Sequence, residues 1–238
     1  MASSGATARG GCRAGVRVSE QMAKTGVRPR DAASLILLRD GKDGIEVLIG
    51  RRGRGARFMP GRYVFPGGRV VPEDARPWAE ELADRGTPGF LALKRAALRE
   101  TFEETGLVIG EPRHAAHGHD TALSPVEAAY RARGIAPAPS RLSLVGRAIT
   151  PTASPIRFHA RFFVADGRLA AGELRPCEEL EELHWHPVER EPPGAMQNVT
   201  RFMLRCAVEA WRGGAPETPP LYWHRGQRAL VRQGALAR

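Results

Sequence analysis

Cysteine, lysine and aromatic residues are all scarce, and each scarcity narrows the possibilities. Cys12, Cys177 and Cys206 are scattered along 238 residues without C-x-x-C spacing. That pattern excludes a disulfide framework and a zinc knuckle, and it fits reduced thiols in a cytoplasmic protein. No window approaches about 18 consecutive apolar residues, so no membrane-spanning helix is expected. The N-terminal stretch also lacks the apolar core of a secretory signal. Lysine supplies only three of the 36 basic residues, and aromatics make up 6% of the chain.

The net charge is +10, but it is not spread evenly. Residues 1–30 and 201–238 each carry an excess of five positive charges, whereas 31–200 balances 23 basic against 23 acidic residues. Basic ends attract polyanions nonspecifically. Without interleaved aromatics they give no basis for specific nucleic-acid recognition. Residues 1–30, rich in Gly, Ala, Ser and Arg, read as a disordered basic segment, with an organelle transit peptide as the alternative. Residues 31–212 read as one folded domain, and 213–238 as a basic tail.

Within that domain, "AASLILLRD" (32–40) and "IEVLIGRR" (45–52) suggest a hairpin, and "RYVFPGGRVV" (62–71) an extended segment broken at two glycines. A Pro/Gly/acid-rich stretch at 72–89, with a short helix at "PWAEELADRG", precedes a strong helix at 90–105 closed by Gly106. A second loop-rich stretch spans about 112–140. Strands at "RLSLVGRAIT", "RFHARFFVAD" and "LEELHWHPV" lead to a helix near "NVTRFMLRCAVEAWRG". The order implies α/β architecture, with helices on both faces of a mixed sheet.

The helix at 90–105 carries Glu100, Glu103 and Glu104 at i, i+3 and i+4, and therefore on one face. Three like charges within a turn repel one another, and only Arg99 offers local compensation. A hard divalent cation such as Mg²⁺ or Mn²⁺ would relieve the repulsion; a solvated acidic face is the plainer alternative.

"RETFEETGL" (99–107) after "FPGG" (65–68) closely resembles the signature of the Nudix hydrolases, G-x5-E-x7-R-E-U-x-E-E-x-G-U, with U apolar. Counting from Gly68, the first glutamate falls on Asp74, and about 17 extra residues separate it from Arg99. The resemblance covers roughly residues 32–211. It implies the Nudix fold, an α/β/α sandwich around a mixed β-sheet, and metal-dependent hydrolysis of a nucleoside diphosphate linked to another moiety. It further implies that Glu100, Glu103, Glu104 and the Gly68 carbonyl hold Mg²⁺ or Mn²⁺. One of the glutamates, or Glu179 from a later loop, would act as general base. Arg99 would orient the carboxylates, and whether Asp74 binds metal stays open.

"LIGRRGRGARFMPGRYVFPGG" resembles the coenzyme A diphosphatase signature, with Leu48, Ile49, Arg52, Arg57, Gly61 and Phe65 to Gly68 in register. Gly50 and Gly53 replace its Thr and Ser. The insertion inside the box also resembles the acyl-CoA diphosphatase subgroup. Substrate contacts would then come from Arg52, Arg57, Phe65, Gly67 and Gly68. A pyrophosphatase for ADP-ribose, NADH or nucleotide sugars is the alternative, and a non-catalytic nucleotide sensor the third. The expected partner is a small-molecule nucleotide, with no membrane involvement and no specific nucleic acid; a homodimer stays open. His184 and His186, sharing a strand face, and His114, His117 and His119 read as ordinary histidines. Trp185 and Trp211 read as core residues, and Phe158 or Trp78 could stack on an adenine.

Overall fold

The computed structural model describes residues 27–113, 123–214, 217–226 and 228–232. Most of the expected N-terminal segment and His114, His117 and His119 lie outside the described residues. The chain opens with the hairpin β1 (Arg30–Gly41) and β2 (Gly44–Arg52), followed by β3 (Tyr63–Val64) and β4 (Gly67–Arg69). After a one-turn 3-10 segment at Pro72–Ala75 comes α1 (Pro88–Thr105). Next are β5 (Val108–Pro112), α2 (Pro125–Ala132), β6 (Ile135–Pro137), β7 (Ser143–Ile149), β8 (Phe158–Asp166) and β9 (Ala170–Ala171). The chain continues through β10 (Leu180–Pro187), α3 (Asn198–Trp211), β11 (Leu221–Arg225) and β12 (Arg228–Arg232).

The main sheet runs β10-β2-β1-β8-β7-β11-β12, with β3 on β2 and β4 on β1. It is mixed, because β1 pairs with β8 and β7 with β11 in parallel, while the other pairs are antiparallel. A small sheet β6-β5-β9 stands apart. Strand alternation divides β1 between two cores. Leu35 and Leu37 join Leu98 of α1 and Phe163, whereas Ile36 and Leu38 join Met203 of α3, Val47 and Ile49. The strand "AASLILLRD" is an unbroken apolar run because both its faces are covered.

Two stretches differ from their sequence-based expectation. Within the segment read as a basic tail, Leu221–Arg225 and Arg228–Arg232 pair antiparallel and extend the sheet beyond β7, with Tyr222 buried against Phe202 of α3. The insertion at 72–89 forms no helix at 77–86 but is tied down. Trp78 enters the α1-side core beside Tyr130, Arg95 grips Glu81 through two hydrogen bonds of 2.7 and 2.9 Å, and Lys94 reaches Asp84 at 2.7 Å. Lys94 and Arg95 are buried, so these carboxylates are the counter-charges that permit them on the core side of α1. The inserted stretch therefore braces the N-terminal half of the helix.

Candidate active site

The acidic ridge lies on the C-terminal half of α1, where the chain first turns through two glycines. The Gly67 N–H donates to Glu104 Oε2 at 2.8 Å. A side chain at Gly67, which has φ of 154°, would meet the Ala33 carbonyl oxygen at 2.5 Å. One added to Gly68 would meet the Glu100 carboxylate at 2.4 Å. Only glycines let the loop approach the glutamates this closely. The two halves of the interrupted motif thus meet despite the extra chain between them.

Arg99 organises the ridge. Its guanidinium donates to Glu100 at 2.9 Å and Glu103 at 2.8 Å, and also to the Arg69 carbonyl at 3.0 Å. Its remaining donors clamp Asp74 at 2.9 and 3.1 Å. Asp74 is 1% exposed and caps its own turn by accepting the Val71 N–H at 2.8 Å. Both oxygens of Asp74 are engaged by Arg99 and Val71, so Asp74 fixes the arginine. Aspartate suffices because the 3-10 turn carries its backbone up to the helix.

Glu104 is nearly buried, and burial pushes its carboxyl up to about 8, opposed by the Gly67 N–H and by Arg52 and reinforced by Glu100 and Glu179. Burial likewise raises Glu100, against the pull of Arg99. Arg52 at the end of β2 stands 3.7 Å from Glu104 and 3.8 Å from Glu179. Glu179 is well exposed, just before β10, and its charge is felt by both Glu100 and Glu104. The structure therefore brings together Arg52, Gly67, Gly68, Arg99, Glu100, Glu103, Glu104 and Glu179.

Two expected contacts are placed elsewhere. Phe65 is buried in the α3-side core, behind the loop it introduces. Arg57 is exposed on the β2–β3 connection, and nothing in the structure fixes it toward the glutamates. Trp78 is core, and Phe158 stacks edge-on with Phe58. His184 contacts Tyr63 and His186 edge-on, with its Nδ1 against the Glu182 carbonyl.

A third group escaped the sequence. One extra residue in β10 breaks its register with β2 between Glu181 and His184, and Glu182 takes a positive φ of 50°. This bulge turns Glu181 and Glu182 toward Arg51, each at 2.8 Å, and Glu182 also accepts from Tyr63 Oη. The arrangement anchors the strand that follows Glu179. A run of glutamates gives no local sign of which one will occupy a bulge.

Among the described residues, no three His, Cys, Asp or Glu side chains converge into a ready ion cage. Glu103 turns to Arg99 and Glu104 to the Gly67 amide. The donor set nevertheless fits a hard divalent cation. Glu104 Oε1 is buried without a hydrogen-bond partner, and every candidate donor is oxygen. No described helix is long and apolar enough to cross a membrane.

The NUDIX domain model matches residues 28–205. A NUDIX hydrolase of Alicyclobacillus acidocaldarius is similar in structure, at 31% identity and a TM-score of 0.58, covering 76% of this chain and 92% of that one. A curated relative from Caenorhabditis elegans, named "Putative nudix hydrolase 7", is 42% identical over 79 residues, which is 33% of this chain but only 22% of that protein.

Proposed function

The chain belongs to the Nudix family, and from that premise we propose that it is a divalent-metal-dependent pyrophosphatase acting on coenzyme A or an acyl-CoA. The products would be 3′,5′-ADP and the corresponding 4′-phosphopantetheine. The observation that carries the hydrolase reading is the Gly67 N–H to Glu104 bond, with Glu100 against Gly68, across an interrupted motif. Support for the CoA assignment comes from the arginine-bearing stretch before the glycine turn, whose Arg52 stands between Glu104 and Glu179.

In this mechanism Glu100, Glu103, Glu104 and the Gly68 carbonyl would hold Mg²⁺ or Mn²⁺. Such a cation neutralises diphosphate oxygens and lowers the pKa of water. Arg99 keeps the carboxylates together on one side of the helix while Asp74 holds Arg99. Glu179, exposed and close to the buried pair, can accept a proton from the attacking water, as can a helix glutamate. Arg52 offers a forked donor to a phosphate oxygen once its weak pairing to the carboxylates gives way.

The test is turnover of CoA, NADH, ADP-ribose and a nucleotide sugar with Mg²⁺ or Mn²⁺. Release of 3′,5′-ADP from CoA at the highest kcat/KM is the expected result. Rapid cleavage of ADP-ribose with CoA untouched would replace the substrate assignment. Nucleotide binding without turnover would make the protein a sensor.

A further inference from the structure

On the α1 face of the sheet, β7 and β8 present arginines to one another. Arg147 and Arg161 are direct cross-strand partners. Through Leu221 the same row reaches Arg232 on β12. Neighbours in a row share a face, and like charges directly opposite one another are destabilising. Arg161 has one carboxylate, Asp31, and also donates to the His159 carbonyl at 2.8 Å. Among the described residues Arg147 has no carboxylate partner, and its Nε is buried without a hydrogen bond. Burial, Arg161 and Arg232 together weaken its hold on its proton.

Two residues along the same strand face, His159 is also incompletely satisfied, with Nε2 buried and unpaired. Burial and Arg161 push its ring down to about 4, so at neutral pH it is uncharged and can present an N–H there. His159 and Ile149 wall one side of an open cleft of about 870 Å³, whose other lining includes Arg28, Arg30, Asp31 and Arg69. The cleft thus gathers arginines and an imidazole with an unpaired buried nitrogen around a single carboxylate, and the cross-strand pair Arg147 and Arg161, with Arg147 Nε also buried and unpaired, lies two residues along the same strand face from its Ile149 and His159 wall. Such a surplus of forked donors matches the geometry and charge of a phosphate dianion.

We propose that this basic cleft, with Arg147 and Arg161 behind it, binds a phosphomonoester-class anion. The anion is either a phosphate borne by the substrate away from the scissile anhydride, or free phosphate. The proposal does not depend on which diphosphate the protein cleaves, because it can be read by binding alone.

The experiment is calorimetric and thermal-shift titration of the full chain with inorganic phosphate, at ionic strength held constant with chloride. Saturable binding that raises Tm is expected for the wild type. Affinity should fall at least tenfold in Arg147→Gln and Arg161→Gln, partly in Arg147→Lys, and stay at the wild-type value in Glu104→Gln. Without phosphate, Arg147→Gln should match or exceed wild-type Tm, since it relieves repulsion. If Arg147→Gln does not fold, His159→Asn serves in its place with the same expected loss. Wild-type affinity in the cleft variants, loss of binding in Glu104→Gln, or stabilisation by chloride as effective as by phosphate would each overturn the proposal. Two kinetic arms identify the source. A substrate-borne phosphate predicts that Arg147→Gln raises KM for CoA but not for dephospho-CoA, whereas free phosphate predicts an equal change for both.

Discussion

Arg99 binds four acidic or carbonyl groups at once, and the site depends on its staying fixed. Removing its clamp in Asp74→Ala would leave a largely buried guanidinium short of its strongest partner. We expect a loss of about 3 kcal/mol in denaturant unfolding and a fall in kcat on the order of tenfold or more. Retained activity and stability would show that Asp74 is incidental. Glu104 gives a second prediction, in pH. Its folded-state affinity for protons exceeds that of an exposed carboxylate, so the native state binds the extra proton between about 4.5 and 8. Its contribution to metal-free stability is therefore full at the acid end of that window and is lost as pH rises through it. Glu104→Gln should remove this slope and stabilise the metal-free protein at pH 8 by about 4 kcal/mol, as measured by urea unfolding at several pH values. The three helix glutamates were legible because their spacing is local. Asp74's partnership with Arg99 was not, because it depends on a tertiary path through inserted chain.

At the scale of elements, the glycine turn and the helix face each other at van der Waals limits. Gly68→Ala places a methyl on the Glu100 carboxylate. Because the methyl would push the Glu100 carboxylate out of its place, we expect kcat to drop about tenfold or more with little change in Tm, measured side by side on one preparation; wild-type activity would mean that the placement of Glu100 against Gly68 does not matter. The insertion bears on α1 differently, through the Arg95–Glu81 and Lys94–Asp84 pairs. Glu81→Ala strands a buried guanidinium, which should cost about 3 kcal/mol while KM stays near wild type. A KM effect larger than the stability effect would place the insertion in substrate binding. Helix and hairpin boundaries were readable from periodicity and from Gly106. The β10 bulge and the bracing of the insertion were not, since neither leaves a pattern within a few residues of itself.

For the molecule as a whole, the neutral centre and basic ends are reworked by folding. The C-terminal excess is partly drawn into the sheet edge, where Arg232 lies in one row with Arg147, across Leu221. Composition could locate that charge in sequence but not in space, because β11 joins β7 across more than 70 residues of intervening chain. The fold class and the acidic ridge followed from the sequence, whereas the burial of Phe65 and the exposure of Arg57 did not, because burial and loop direction are tertiary properties. The central claim is that one metal-binding site is assembled from a motif split in two. Its most direct test is titration of the full chain with Mn²⁺, following free ion by electron paramagnetic resonance. Wild-type protein should bind Mn²⁺ saturably, and Glu100→Gln, Glu103→Gln and Glu104→Gln should each weaken it about tenfold or more while Glu179→Gln does so less. Equal affinity in all four variants and the wild type would contradict the account.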